Sequence, residues 1–308
     1  MEVNAQRVLL VAPEAQLGDL DALIQAWHSR GIEVVVDSYN QAMPTASVLL
    51  DDYDDIDALL LAGDSRRAPA TVLPGPFLTD RDGRRIPAAW LPLRCAAANQ
   101  CFAACAARVH RRAGGEQSLA LFSQWHPQYL RVIDRIDSLV RAKWQTFRWT
   151  GDLITREGLV DAVGSGLGLG VYMGHGRAVG WVGYHGVRGH HFDAFKGEPM
   201  GALMSLCCRT ASRRRTGLSY AESLALRGIA AASFGATSDT LHTDNTRWAV
   251  GLCDALSAGV QTIGELIVRA APASPDACKS YRLIGDPLAP LTSSRAAVMD
   301  ALAVPTYP

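Results

Sequence analysis

The sequence has no excess charge of either sign and no apolar run long enough to cross a bilayer. Its 30 lysine and arginine residues balance 30 aspartate and glutamate residues in a chain of 308 residues. Nucleic-acid-binding proteins usually carry a basic excess or a basic face, so this balance argues against a nucleic-acid partner. A transmembrane helix needs about 20 consecutive apolar residues, so we expect no membrane segment. With 48% hydrophobic residues, the chain has the composition of a globular protein with one large or two smaller domains.

The seven cysteines form neither a disulfide framework nor a zinc motif, because their spacings are irregular and no CxxC pair is present. Cys95, Cys101 and Cys105 lie among alanines at helical spacing, which is typical of small buried hydrophobic residues. The sequence begins without the basic segment, apolar core and small-residue cleavage site of a signal peptide. We therefore predict a cytoplasmic location.

A phosphate-binding glycine loop is also missing. The first apolar run, residues 8–12, continues into Pro13 and Glu14, and the glycines of residues 164–170 alternate instead of matching GxGxxG. This argues against a flavodoxin-like redox or nucleotide-binding protein, which the β-α-β pattern at the start of the chain would otherwise suggest.

One cluster of histidines could suggest zinc. It consists of His185, His190 and His191 together with Asp193. The spacing matches no common zinc signature, and the segment is typical of a variable loop. We expect neither a bound metal nor a cofactor.

Predicted strands and helices alternate along the chain. A β-α-β unit covers residues 8–36, a third strand follows at 58–62, and further strands are predicted at 118–123, 167–173, 202–206 and 229–234. The pattern predicts a mostly parallel sheet covered on both faces, which is a three-layer α/β/α sandwich. The proline- and arginine-rich segment 66–91 is predicted to be a long connection. A helix at 93–112 ends an N-terminal α/β subdomain, residues 1–114, and residues 115–308 form the second subdomain.

Two apolar runs each end in a reactive side chain. Residues 171–176, VYMGHG, contain His175, and residues 201–208, GALMSLCC, end in Cys208. Buried parallel strands deliver catalytic groups to the carboxyl edge of a sheet in this way. A thiolate is a strong nucleophile toward a carbonyl carbon, and an imidazole can hold or take the thiol proton. The pair therefore suits acyl transfer, and a cysteine peptidase is the first hypothesis.

The arrangement resembles the caspase-like cysteine peptidases, and within them the gingipain-type (C25-like) family. Four features carry the resemblance: Gly174-His175-Gly176, Cys207-Cys208, the predicted helix 220–226 with the strand after it, and residues 281–287, YRLIGDP. It implies a caspase-like sandwich and an endopeptidase that acts on a protein or peptide through a thioacyl intermediate. By resemblance, Cys208 is the nucleophile, His175 is the acid/base group, and the amides of Gly176 and Cys208 bind the oxyanion.

The resemblance also indicates residues around this pair. An acid that orients the imidazole is sometimes proposed in the family, and Glu116 is the candidate here, with a surface role as the alternative. The expected substrate pocket takes Gln124, Trp125 and His126 from one loop and Asp239, Leu241, His242 and Asp244 from another. Asp239 or Asp244 could make the pocket prefer a basic side chain, or could cap the next helix. Arginine specificity is not implied, because Gln124, Trp125 and His126 stand where arginine-directed gingipains carry an acid.

Two other interpretations of these residues stay open. Cysteine is among the most buried residue types, so Cys207 and Cys208 could both be core residues. The chain could also be a catalytically inactive caspase-like protein that uses the same cleft for binding or scaffolding. Selective reaction of Cys208 with a peptidyl electrophile would separate an active site from an inactive one.

Overall fold

A computed structural model describes residues 6–40, 42–46, 49, 52–53, 55–64, 73–213, 217–294 and 298. The strands in this part of the chain are β1 Arg7–Pro13, β2 Glu33–Tyr39, β3 Ala58–Asp64, β4 Phe77–Thr79, β5 Arg85–Leu93, β6 Glu116–Ser123, β7 Gln145–Trp149, β8 Leu169–Met173, β9 Gly176–Arg177, β10 Gly180–Trp181, β11 Val187–Arg188, β12 Met200–Leu206, β13 Ala230–Ala236, β14 Tyr281–Gly285 and β15 Thr292–Ser293. The α-helices are α1 Asp21–Ser29, α2 Ala96–His110, α3 Pro127–Val140, α4 Arg156–Val163, α5 Tyr220–Leu226, α6 His242–Ser257, α7 Ile263–Ala270 and α8 Pro275–Lys279.

One large sheet runs through the molecule in the order β15-β6-β8-β12-β13-β14-β5-β3-β1-β2, with β7 on β6 and β4 on β5. Strand β14 is antiparallel to β13 and parallel to β5, so the strands on its two sides run in opposite directions. Helix α2 contacts α1 and α5 in one layer, and α6 contacts α3 and α7 in a second layer. The predicted three-layer α/β/α sandwich with a mostly parallel sheet is therefore confirmed.

The direction of the strands determines where the reactive groups meet. Strands β6, β8, β12 and β13 are parallel neighbours, so their carboxyl ends lie at the same edge of the sheet. We call this edge the catalytic edge, because His175 and Cys208, the residues predicted to be catalytic, follow β8 and β12 there. The strands of β12 and β13 are buried along their whole length, which explains their continuous apolar sequences.

The prediction of a long connection over residues 66–91 was wrong. Residues 66–72 lie outside the described residues, but β4 and β5 form an antiparallel pair, and β5 lies between β3 and β14 in the centre of the sheet. The prolines suggested a loop because each removes a backbone donor. Pro87 and Pro92 lie near the two ends of an apolar run that is buried from Ile86 onward, and burial outweighs the two missing donors.

The turn after β14 fastens the two halves of the chain together. Asp286 is fully buried, and its carboxylate lies 2.6 Å from His110 Nε2 and 3.3 Å from Trp27 Nε1. It also accepts the backbone N–H of Leu288 at 2.9 Å. Residues of α1 and α2 thus contact a C-terminal turn, and the sheet continues across the predicted division at residue 114 because β14 pairs with β5.

None of the helices among the described residues combines the length and apolarity needed to span a membrane.

Candidate active site

His175 and Cys208 occupy equivalent positions on two adjacent strands. Met173 of β8 and Leu206 of β12 are Cα partners in the parallel register. His175 follows Met173 by two positions, and Cys208 follows Leu206 by two positions. Neighbouring strands lie about 4.8 Å apart. The sheet therefore brings the two residues to the same point of the catalytic edge, although they are 33 positions apart in the sequence.

The backbone and the ring of His175 are both held. Its N–H donates to Gln124 Oε1 at 3.0 Å. Its carbonyl accepts the Tyr172 hydroxyl at 3.1 Å and the Val182 N–H at 2.9 Å. The ring itself is exposed, and its Nε2 lies 3.3 Å from the hydroxyl of Tyr129, a buried residue of α3. The position and ring orientation of His175 are therefore set by three separate parts of the fold.

The thiol of Cys208 contacts the loop between β13 and α6. The backbone N–H of Thr240 donates to Sγ at 3.4 Å, and the Thr240 carbonyl and hydroxyl oxygens each lie 3.6 Å from Sγ. Across the described residues, no hydrogen bond joins Sγ to the imidazole of His175. Thr240 therefore holds the sulfur in place at the edge of the cleft.

Cys207 has different surroundings, although it is the next residue along the chain. Its side chain is fully buried, and burial, followed by the neighbouring Cys208 thiol, raises the pKa of Cys207 far above its usual value. A Cβ added at Gly176 would lie 2.5 Å from Cys207 Sγ and 2.4 Å from the Cys208 carbonyl oxygen. Gly176 therefore covers the inner thiol, which leaves only the Cys208 thiol at the surface of the cleft.

The backbone of Gly176 is available to a ligand. In an antiparallel ladder, residue pairs that exchange hydrogen bonds alternate with pairs that do not. His175 and Val182 are joined by a hydrogen bond from the Val182 N–H to the His175 carbonyl. The next pair, Gly176 with Trp181, is therefore one that exchanges none. The N–H groups of such a pair point away from the partner strand. The Gly176 N–H therefore points away from β10, on the side of the strand that the described sheet leaves open.

The candidate orienting acid, Glu116, was a wrong prediction. It begins β6, and Ser123 at the end of β6 is the partner of Met173. Ser123 follows Glu116 by seven positions, which corresponds to about 23 Å at 3.3 Å per residue. Glu116 therefore lies at the edge of the sheet opposite to His175, where its partner is Ser293 of β15.

The two loops predicted to form the substrate pocket both reach the catalytic edge. In one loop, Trp125 is 56% exposed, and His126 caps α3 by accepting the Gln128 N–H. In the other loop, Leu241 is 69% exposed, and the ring of His242 lies 5.7 Å from that of Tyr129.

Both carboxylates of the predicted pocket are already paired. Asp239 forms an ion pair with Arg209, and Asp244 pairs with Arg247 at 3.0 Å. Asp244 lies in the first turn of α6 and makes no side-chain cap there. Its negative charge favours that helix end. A pocket for a basic side chain would require a carboxylate that has no cationic partner within the protein. Asp239 and Asp244 both have such a partner.

Three residues of the site were not predicted from the sequence. Tyr129 and Thr240 contact the imidazole and the thiol, and Arg209, directly after Cys208, has a left-handed backbone with φ 61° and pairs with Asp239. For Tyr129, the available sequence signal was its position two residues after His126-Pro127, where the predicted pocket loop ends. The histidine cluster at residues 185–193 does not form a group of metal ligands among the described residues, and its Asp193 pairs with Arg227.

The comparisons with known proteins agree with this geometry. The model of peptidase family C25 matches residues 122–292, more than half of the chain. The crystal structure of the Arg-specific cysteine proteinase gingipain R aligns with a TM-score of 0.74 at 15% identity, over 96% of this chain and 80% of that one. A complex of the pro- and mature domains of RgpB from Porphyromonas gingivalis aligns with a TM-score of 0.73 at 16% identity, over 93% of this chain and 80% of that one. A search of the curated proteins found no match.

The two solved structures establish the gingipain-like form of the fold, with one sheet between layers of helices. The family match begins at the end of β6, extends to β15, and includes both His175 and Cys208. The chain belongs to peptidase family C25 and is a cysteine-type peptidase.

Proposed function

We propose that this peptidase is an endopeptidase in which Cys208 is the nucleophile and His175 is the general acid and base. The observation that carries the proposal is the register of β8 and β12, since His175 and Cys208 each follow the Met173–Leu206 pair by two residues. The half-buried Cys208 is supported as the nucleophile over the fully buried Cys207, whose pKa is raised by burial.

The first half of the reaction forms a thioester. The Cys208 thiol gives its proton to His175 by way of water, and the resulting thiolate, whose sulfur contacts the Thr240 N–H, attacks the carbonyl carbon of the scissile bond. The N–H groups of Gly176 and Cys208 bind the oxyanion that develops. The oxyanion then collapses, the C–N bond breaks, and His175 donates a proton to the leaving amine.

The second half of the reaction releases the acyl group. A water molecule attacks the thioester carbonyl while His175 takes one of its protons. The carbon–sulfur bond then breaks, which frees the carboxylic acid and returns Cys208 to its starting state. Sulfur and imidazole need not touch, because the substrate lies between them in both halves.

Tyr129 assigns the two ring nitrogens of His175. Because Nε2 lies 3.3 Å from the Tyr129 hydroxyl oxygen, we infer that Nε2 keeps its proton and donates it to that oxygen, so that Nδ1 of the neutral imidazole is free to take a proton and the imidazolium gives it up again from Nδ1. We therefore assign the proton transfer to Nδ1, and Tyr129 is a positioning residue that takes the part first given to Glu116. The Gln124 carbonyl oxygen supports the same orientation through the His175 N–H.

The proposed substrate is a protein or peptide with an uncharged residue before the scissile bond. This preference follows from the paired state of Asp239 and Asp244 and from the exposed Trp125 and Leu241 in the same loops. The arginine specificity named for gingipain R is a property of that protein.

Cleavage of a positional peptide library tests the proposal. Wild type and Cys207→Ala should cleave with the same preference, whereas Cys208→Ala and His175→Ala should not cleave above background. Circular dichroism of each variant checks that it is folded. If folded wild type cleaves no peptide, before or after limited proteolysis, the alternative of an inactive binding protein takes the place of this proposal.

A further inference from the structure

A cavity of about 670 Å³ lies on the face of the sheet that α2 and α5 cover. It opens between α5, the start of α2 and the three-stranded ribbon formed by β9, β10 and β11. Its lining includes neither His175 nor Cys208, so it is separate from the catalytic cleft. We call it the basic cavity, because four of its lining residues are Arg94, Arg188, His190 and Arg227.

The positive charge of the basic cavity is only partly balanced. The residues that line it include no aspartate and no glutamate. Arg227 pairs with Asp193. In the described part of the chain, neither Arg94 nor Arg188 takes part in an ion pair. Two guanidinium groups therefore share one concave surface without a counter-charge from the protein.

Two polar atoms at this surface also have no protein partner. Arg94 Nε and Ser223 Oγ are buried, and neither makes a hydrogen bond within the described residues. Ser223 Oγ lies beside Gly189, directly after β11, where it would be 2.5 Å from a Cβ added at that glycine. Buried donors without partners cost free energy, and an anion oxygen would satisfy both kinds of group.

We propose that the basic cavity binds a small polyanion that carries phosphate or carboxylate groups. A guanidinium presents paired N–H donors in a fixed plane, which matches the oxygens of both groups. The volume of 670 Å³ falls within the roughly 300–1,000 Å³ range of cavities that hold small organic ligands.

The basic cavity is close to the segment that carries the imidazole. Ala178 and Val179 line it, and they follow Gly176 by two and three residues. The N–H of Tyr220 at the start of α5 donates to the Ala178 carbonyl at 2.9 Å, which joins the ribbon to the helix. A ligand in the cavity would thus contact both elements at the point where they are joined.

Isothermal titration calorimetry with two probes tests the proposal. Full-length Cys208→Ala protein is titrated with sodium tripolyphosphate and with citrate, at an ionic strength held constant with sodium chloride. This background separates binding from the proposed catalysis, so a failure of one does not affect the test of the other. We expect one saturable site, and the tighter probe identifies the preferred group.

Arginine variants identify where the probe binds. Arg94→Ala and Arg188→Ala should each weaken the tighter probe by about tenfold or more, because each removes charge-assisted hydrogen bonds. Arg111→Ala is the matched control, since Arg111 is exposed and lies at the other end of α2, about 22 Å away along the helix.

Two results would overturn the proposal. One is the absence of saturable binding for both probes. The other is an equal affinity in Arg94→Ala, Arg188→Ala and Arg111→Ala, which would assign the binding to another place. Arg188 is exposed, so its variant keeps the test valid if Arg94→Ala does not fold.

Discussion

The imidazole side and the thiol side of the cleft are built differently. His175 is held by groups from the loop after β6, from α3 and from β8, that is, by Gln124, Tyr129 and Tyr172. Every hydrogen bond to Cys208 Sγ in the described residues comes from one residue, Thr240, in the loop between β13 and α6. The fold itself therefore fixes the imidazole, whereas a single loop fixes the thiol. We expect substitutions on the two sides to have different kinetic consequences.

Gly176→Ala should have the largest effect, because Gly176 lies between the two sides. The new Cβ would lie 2.4 Å from the Cys208 carbonyl oxygen, so the backbone of either residue 176 or Cys208 must move. Displacing an oxyanion donor typically costs about a hundred- to a thousandfold in rate. We expect a loss of kcat of that size in steady-state cleavage assays. Gly18→Ala is the control, since nothing lies within 4 Å of a Cβ there. Equal activities of the two variants would contradict the oxyanion role.

Tyr129→Phe should have an intermediate effect on the imidazole side. It removes the hydroxyl at Nε2 and keeps the ring that packs against His175 at 5.6 Å. Loss of one neutral hydrogen bond corresponds to about a two- to tenfold change. We expect kcat to fall within this range with KM unchanged, together with a shifted pH–rate profile.

Tyr220→Phe is the control for Tyr129→Phe, because the buried Tyr220 hydroxyl has no hydrogen-bond partner among the described residues. It should leave the pH–rate profile as in wild type. If Tyr129→Phe changes thermal stability but not the profile, then Tyr129 has only a packing role.

Asp239→Asn should have a smaller effect, on the thiol side. Arg209 and Asp239 are both exposed, and exposed ion pairs contribute at most about 1 kcal/mol. The Arg209 N–H also donates to the Ser238 carbonyl at 3.1 Å, so the loop keeps a second contact. We expect a KM increase of about fivefold or less with little change in kcat. A large loss of kcat would contradict the division between the two sides.

Cys207→Ala should have the smallest effect, visible in stability at high pH. Burial raises the pKa of Cys207 above its usual value near 9, so only the unfolded chain loses this proton just above pH 9. The unfolded state then binds fewer protons, and stability falls as the pH rises. Denaturant unfolding should show that the free energy of unfolding falls with rising pH less steeply in Cys207→Ala than in wild type, by roughly one kcal/mol per pH unit. Parallel curves for the two proteins would mean that the inner thiol is not buried.

The residues at the ends of β8 and β12 could be predicted because each strand has a strong signal of its own. A continuous apolar run that ends in His175 or Cys208 indicates both a buried strand and its reactive end. The contacts of those residues could not be predicted, because Tyr129 and Thr240 come from elements far away in the sequence. Gln124 was assigned to the right loop, but it holds the His175 backbone.

The wrong predictions have physical causes as well. Glu116 is the first residue of β6 and Ser123 is the last, and only the end with Ser123 lies at the catalytic edge. The central strand β5 was missed because Pro87 and Pro92 indicated a loop, although the residues between them are apolar and buried. The cytoplasmic location stays a prediction.

Labelling with a peptidyl chloromethyl ketone tests the central claim most directly. Wild type, Cys207→Ala and Cys208→Ala are treated with one equivalent of reagent, and the labelled cysteine is located by intact mass and peptide mapping. Cys95 and Cys101 are exposed, contrary to the prediction from the sequence that they are buried like Cys105, so they report any reaction that does not depend on the site. We predict a single label on Cys208 in wild type and Cys207→Ala, and none in Cys208→Ala. A label on Cys207, or equal labelling of Cys95, Cys101 and Cys208, would contradict the account.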